Sequence, residues 1–159
     1  MLFRSPIPLE ERGDLLAAYH RRLTGGDAAQ QMTCARAWSA WEAATFSLLP
    51  DEKRITEFTE DRFALAFARI ESHYFVNRGF FAADGQLIAD AGRLKDIPGV
   101  IIQGRYDVVT PMETAWALHR AWLEAEFIVV ADAGHTATEP GLSDALVQAT
   151  DQFRYANNA

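Results

Sequence analysis

Two short apolar runs set the tightest limit on what this 159-residue chain can fold into. Val100-Ile-Ile-Gln103 and Phe127-Ile-Val-Val-Ala131 are rich in β-branched residues and do not alternate with polar ones, the pattern of strands buried on both faces. Between them, Thr110-Pro111-Met112-Glu113 reads as a capping box with proline at the first helical position. It opens a helix carrying Ala115, Trp116, Leu118, His119 and Trp122, and Pro140 opens another that runs to about Phe153. Strand, helix, strand, helix at this spacing predicts a βαβα unit with parallel strands and a right-handed crossover.

The residues before that unit follow a different periodicity. Leu15, Leu16, Tyr19 and Leu23 recur at helical spacing and meet a stop at Gly25-Gly26; Asp27 is placed to cap a second helix from Ala28 to about Leu49. A third helix begins near Asp61, with Phe63, Phe67, Ile70 and Tyr74 on one stripe, and a short one is expected from about Gln86 to Leu94. The change from all-helical to βαβα falls near Asp84-Gly85, a turn signal, so residues 1–85 and 86–159 are expected to form separate units.

Charge and cysteine content exclude several functions. With 15 Lys+Arg against 22 Asp+Glu, net charge −7 and no basic cluster longer than an adjacent pair such as Arg21-Arg22, nucleic acid is not an expected partner. The one cysteine, Cys34, can form no internal disulfide, and beside Ala35 and Ala37 it reads as a packing residue. No apolar stretch approaches the roughly 20 residues of a membrane span, and Met1–Pro8 lacks the apolar core of a signal peptide. A cytoplasmic protein is therefore expected. His20, His73 and His119 stand apart from other ligand types, and there is no phosphate loop or dinucleotide fingerprint, so neither metal nor cofactor is expected.

Open parallel sheets carry their functional residues in loops beyond the carboxyl ends of the strands. Here those loops are Gly104-Arg-Tyr-Asp-Val-Val-Thr-Pro111 and Asp132-Ala-Gly-His-Thr136. They put Asp107 and His135 on one edge of the sheet, in the chain order and position of the acid and base of an α/β-hydrolase triad. The spacing alone is equally that of a turn aspartate and a loop histidine.

Two acidic residues stand out in the helical half. Glu42 lies within the stripe Trp38, Trp41, Thr45, Phe46, Leu49, and Glu71 within Phe63, Phe67, Ile70, Tyr74. Carboxylates on inward helix faces are costly unless a cation neutralises them. Pairing with Arg36 or Arg69, or a place at the stripe edge in water, would satisfy them equally well.

Taken together, Ile97–Pro111, Ala115-Trp116, Ala121-Trp122, Glu124-Ala-Glu126 and Asp132–Pro140 resemble the C-terminal part of proline iminopeptidases, also called prolyl aminopeptidases. Ala37-Trp-Ser-Ala-Trp-Glu42 and Ala68-Arg-Ile-Glu-Ser-His-Tyr-Phe75 are similar to the cap domain of the same family. Thr136 stands where the family often has Ser, and Arg78 where Gly is usual. The resemblance implies an α/β fold: a partial helical cap over residues 1–85, then the C-terminal part of an α/β-hydrolase domain over 86–159. It implies Asp107 and His135 as two members of a catalytic triad, Glu42 and Glu71 as ligands of the substrate's N-terminal ammonium, and peptides with N-terminal proline as substrates.

The family's nucleophile is a serine in a Gly-x-Ser-x-Gly elbow, and no such sequence occurs here; Ser5, Ser39, Ser47, Ser72 and Ser143 all lack that context. The chain alone is therefore expected to be inactive, with nucleophile and oxyanion donors coming from a missing N-terminal half. Two other readings stand beside this one. A non-catalytic or vestigial module would associate with itself or another chain through its open sheet edge. A different capped hydrolase, an esterase or epoxide hydrolase, would not need the two inward glutamates.

Overall fold

The first three α-helices of the chain each begin at an aspartate that caps them. In the computed structural model, which describes residues 2–156, Asp14 accepts the Ala17 N–H and opens α1 (Leu15–Thr24), which stops at Gly25. Asp27 Oδ1 accepts the Ala29 and Gln30 N–H groups at 2.9 and 3.1 Å ahead of α2 (Ala28–Thr45). Asp51 caps α3 (Glu52–Phe58), a short helix whose seven residues carry too little periodicity to be read from sequence. The longer α4 spans Asp61–Val76.

The chain divides into two compact units, one holding residues up to Ala44 together with Pro50–Ala82, the other Thr45–Leu49 together with residues from Ala83 on. The first unit is helical, and its core joins Ile7, Ala18, Tyr19, Leu23, Cys34, Ala35, Trp38, Ala64 and Ala68. On α4 the inward face differs from the expected aromatic stripe. Phe63, Ile70 and Tyr74 are 42%, 61% and 53% exposed, whereas Ala64, Ala68 and Ser72 are buried. The reason is steric: α1 packs on α4, and small residues at i, i+4 and i+8 admit the close approach that phenyl rings would prevent. On α2, Trp38 and Glu42 are buried as the stripe predicts, but Trp41 is exposed, as is Leu49 beyond the helix end.

In the second unit α5 (Gln86–Ala89) is followed by a separate 3₁₀ turn, Ala91–Leu94, so the expected single short helix is broken at Asp90. Then come β1 (Gly99–Gly104), α6 (Met112–Ala121), β2 (Ala125–Val130) and α7 (Pro140–Ala156). The two strands pair in parallel, Gly99 opposite Ala125 through Gly104 opposite Val130. They are half-buried rather than covered on both faces; only Gln103 and Gly104 of β1 are buried, because the sheet has just these two strands among the described residues. Glycine at 99 is required by packing, since a Cβ there would meet the Trp122 ring at 2.1 Å.

The expected capping box at Thr110 does not form. Pro111 precedes the helix with no side-chain cap, because the Thr110 hydroxyl is committed to Asp107 Oδ2 at 2.8 Å. Likewise α2 stops at Thr45 instead of running on to Leu49: the Phe46 carbonyl accepts N–H groups from His135 and Thr136, drawing residues 45–49 into the second unit.

Candidate active site

The loops leaving the two strands run against each other. Arg105 N–H donates to the Val130 carbonyl at 2.9 Å and Tyr106 N–H to the Ala133 carbonyl at 3.0 Å, extending the ladder beyond the strand ends. Glycine at 104 permits this, because a Cβ there would stand 1.9 Å from the Gly134 carbonyl oxygen. Asp107 and His135 emerge from these two loops on the same edge.

Asp107 folds its loop around its own carboxylate. Oδ1 accepts the Val109 N–H at 2.9 Å and the Thr110 N–H at 2.8 Å, while Oδ2 accepts the Thr110 hydroxyl and faces His135 Nδ1 at 3.0 Å. The side chain is only 6% exposed, and His135 is 31% exposed. Burial pushes the Asp107 carboxyl up, but the Thr110 N–H, His135 and the Thr110 hydroxyl outweigh it and hold the group below its ordinary range. An ionised carboxylate only accepts, so the proton between them sits on Nδ1, leaving Nε2 with the lone pair of the neutral ring. This is the geometry of an oriented general base.

Two residues that sequence reasoning did not single out hold the histidine loop. Phe46 lies with its ring centroid 5.3 Å from that of His135, and Glu139 Oε2 accepts the Gly134 N–H at 2.7 Å. The available signal was Glu139 itself, an acidic residue in the histidine's own loop immediately before the helix-opening Pro140.

Glu42 and Glu71 belong to the first unit, and Asp107 and His135 to the second. Glu42 is 3% exposed; Glu71 is half-buried and accepts the Trp38 Nε1–H at 2.6 Å. Burial first, and the neighbouring Glu71 charge second, push the Glu42 carboxyl up to about 7. Burial also raises Glu71, opposed by the Trp38 hydrogen bond. The two arginines weighed as counterions are engaged elsewhere: Arg36 pairs with Asp61, and Arg69 Nε–H donates to the Leu23 carbonyl at 2.7 Å. Burial thus disfavours the charged form of both carboxyls.

Among the described residues no three His, Cys, Asp or Glu side chains form a metal-holding group, and no helix is long and apolar enough to cross a membrane. Cys34 is buried, and burial raises its thiol.

A family described as TAP-like protein, of the α/β-hydrolase class, matches residues 83–155. Over 151 residues the chain is 55% identical to a probable proline iminopeptidase of Leptolyngbya boryana, covering 95% of this chain and 47% of that protein. The proline iminopeptidase of Xanthomonas citri is 54% identical over 151 residues, 95% of this chain and 48% of the relative. That of Arabidopsis thaliana is 49% identical over 153 residues, 96% of this chain and 40% of the relative. These matches, with the parallel βαβα unit, fit the C-terminal region of an α/β-hydrolase. Within that class the chain is similar over nearly its whole length to proline iminopeptidases, and corresponds to their C-terminal part. It spans about half the length of the curated relatives it matches.

Proposed function

We propose that this chain supplies the acid–base pair and the ammonium-binding pair of a serine-type aminopeptidase that releases N-terminal proline. The observation that carries the reading is the Asp107–His135 hydrogen bond at the carboxyl ends of two parallel strands, in a sequence whose relatives are named proline iminopeptidases. In this reading residues 1–85 are a partial helical cap and residues 86–159 the C-terminal part of the hydrolase domain. The single free cysteine supports a reducing, cytoplasmic setting.

A serine from outside these residues attacks the prolyl carbonyl, and His135 Nε2 takes the hydroxyl proton. The tetrahedral intermediate collapses to an acyl-enzyme as the imidazolium passes that proton to the leaving amine. Water then attacks the ester with His135 as base, freeing proline and the serine. Throughout, Asp107 keeps Nδ1 protonated and stabilises the imidazolium. Glu42 and Glu71 hold the substrate's secondary ammonium, which restricts cleavage to a free N-terminus; their buried carboxyls gain from a cation what burial costs them.

The test is hydrolysis of L-proline p-nitroanilide by the purified chain alone and mixed with a separately expressed N-terminal half of a relative, with size and mass followed in the same sample. Turnover only in the mixture, abolished by His135→Ala, is expected. A mixture that associates yet never turns over would overturn the proposal. The open two-stranded sheet, with Val108 and Leu123 67% and 80% exposed beside it, favours a second reading as a module that assembles with its own copies. Its signature is a stable homo-oligomer inert with and without the added half.

A further inference from the structure

The loop that carries His135 is tied down by groups that take no part in proton transfer. The Phe46 carbonyl accepts two N–H bonds, from His135 at 2.8 Å and Thr136 at 2.9 Å. Glu139 also accepts twice: Oε2 takes the Gly134 N–H at 2.7 Å and Oε1 the Leu48 N–H at 2.9 Å. One carboxylate thus links the residue just before the imidazole to a segment two residues beyond Phe46. The approach leaves no slack, since a Cβ on Gly134 would lie 2.8 Å from the Leu48 nitrogen. Glu139 N–H also donates to the Thr136 carbonyl at 3.1 Å, closing the turn on its other side.

Both oxygens of this carboxylate are used, each by a backbone amide. The imidazole needs such support. It is about a third exposed, and its 3.0 Å bond to Asp107 survives only if the backbone beneath it stays in register.

We propose that Glu139 is a positioning residue for His135, its carboxylate bridging the Gly134 and Leu48 amides so that the imidazole is delivered to Asp107. The value of that positioning rests on reading His135 as the catalytic base, but the bridge is measurable without any turnover. The experiment is NMR of the 159-residue chain and its Glu139→Ala and Glu139→Gln variants, reading amide hydrogen exchange and the His135 Nδ1–H resonance. In Glu139→Ala, exchange at Gly134 and Leu48 is expected to quicken about tenfold or more, and the Nδ1–H resonance to broaden or vanish. Val109 and Thr110 should keep their protection, because Asp107 holds them by itself. Glu139→Gln retains one acceptor oxygen and should fall between.

Unchanged exchange at both amides would show that the bridge does not exist in solution. Quickened exchange with an unaltered Nδ1–H resonance would reduce Glu139 to a loop anchor. Unfolding of both variants would make it a residue of the whole fold. Each of these results overturns the proposal, and none bears on whether proline is released.

Discussion

His135 Nδ1 lies 3.0 Å from Asp107 Oδ2, and the same carboxylate oxygen also accepts the Thr110 hydroxyl. The acid is therefore held by its own loop whether or not the histidine is present, and the histidine finds a fixed acceptor. Asp107→Asn should keep a carbonyl oxygen for the Val109 and Thr110 amides while presenting an NH₂ group to the ring. The neutral imidazole must then accept at Nδ1 and carry its proton on Nε2. Imidazole ¹⁵N shifts are expected to report Nδ1–H in the parent and Nε2–H in the variant. In a complemented enzyme the variant should lose about 10⁴-fold in kcat, as a wrong tautomer does in a Ser-His-Asp triad. An unchanged tautomer would show that Asp107 does not set it.

Glu42 should make the helical unit less stable as pH rises. Its folded carboxyl titrates at about 7 against an ordinary 4.5, so folding takes up a proton in that interval. Stability from this group is greatest below pH 4.5 and declines until about pH 7, by roughly 3 kcal/mol. Asp107 has the opposite sign: its lowered value contributes stability that is lost as pH falls through the acid range. Urea unfolding of Glu42→Gln should be flatter between pH 5 and about 7 than the parent, with a higher midpoint at pH 7. A variant as pH-dependent as the parent would place the titrating group elsewhere.

The parts of the molecule legible in sequence are those fixed by local chemistry. The carboxylate cap at Asp27, the two β-branched runs and the loops beyond them all depend on residues a few positions apart. Glu42 read correctly as inward because Trp38, four residues earlier, shares its face. The inward face of α4 did not, since Ala64, Ala68 and Ser72 carry no hydrophobic signal of their own and are chosen by the helix packed on them. Thr110 matched a capping box in every local respect, and only Asp107's claim on its hydroxyl prevented it. The strap Phe46–Leu48 was equally hidden: its bonds to His135, Thr136 and Glu139 span about 90 residues.

Arg78 marks a place where the backbone bears a cost that glycine would avoid. Arg78, Gly79 and Phe80 have φ of 52°, 61° and 62°, three left-handed residues in succession. The conformation costs a non-glycine residue about 1 kcal/mol, offset in part by the smaller entropy that arginine loses on folding. Arg78 is exposed, so replacing it removes no core packing. Arg78→Gly is expected to raise stability by about 0.5 kcal/mol, near 2 °C in Tm, measured by thermal unfolding. A lower Tm would mean that the arginine side chain contributes more than the backbone strain takes away.

Gly104 and Gly134 meet across the strand ends, and their substitution should separate the two loops. A Cβ at 104 would sit 1.9 Å from the Gly134 carbonyl oxygen and 2.8 Å from that of Ala133, backbone atoms that no rotamer change can move aside. At 134 the nearest atom would be the Leu48 nitrogen at 2.8 Å, again backbone. Neither glycine is among the positive-φ residues, so in both cases the obstacle is space and not backbone conformation. Gly104→Ala, with the shorter contact, must push the 132–136 loop away from Asp107 and should cost about 3 kcal/mol. Gly134→Ala should cost about 2 kcal/mol, chiefly by loosening the Phe46–Leu48 strap. Both are expected to weaken the His135 Nδ1–H resonance, but only Gly104→Ala should also speed exchange at Tyr106, whose N–H donates to the Ala133 carbonyl. If Gly104→Ala left that amide protected and stability unchanged, the strand ends would have to be farther apart in solution than the 1.9 Å approach allows.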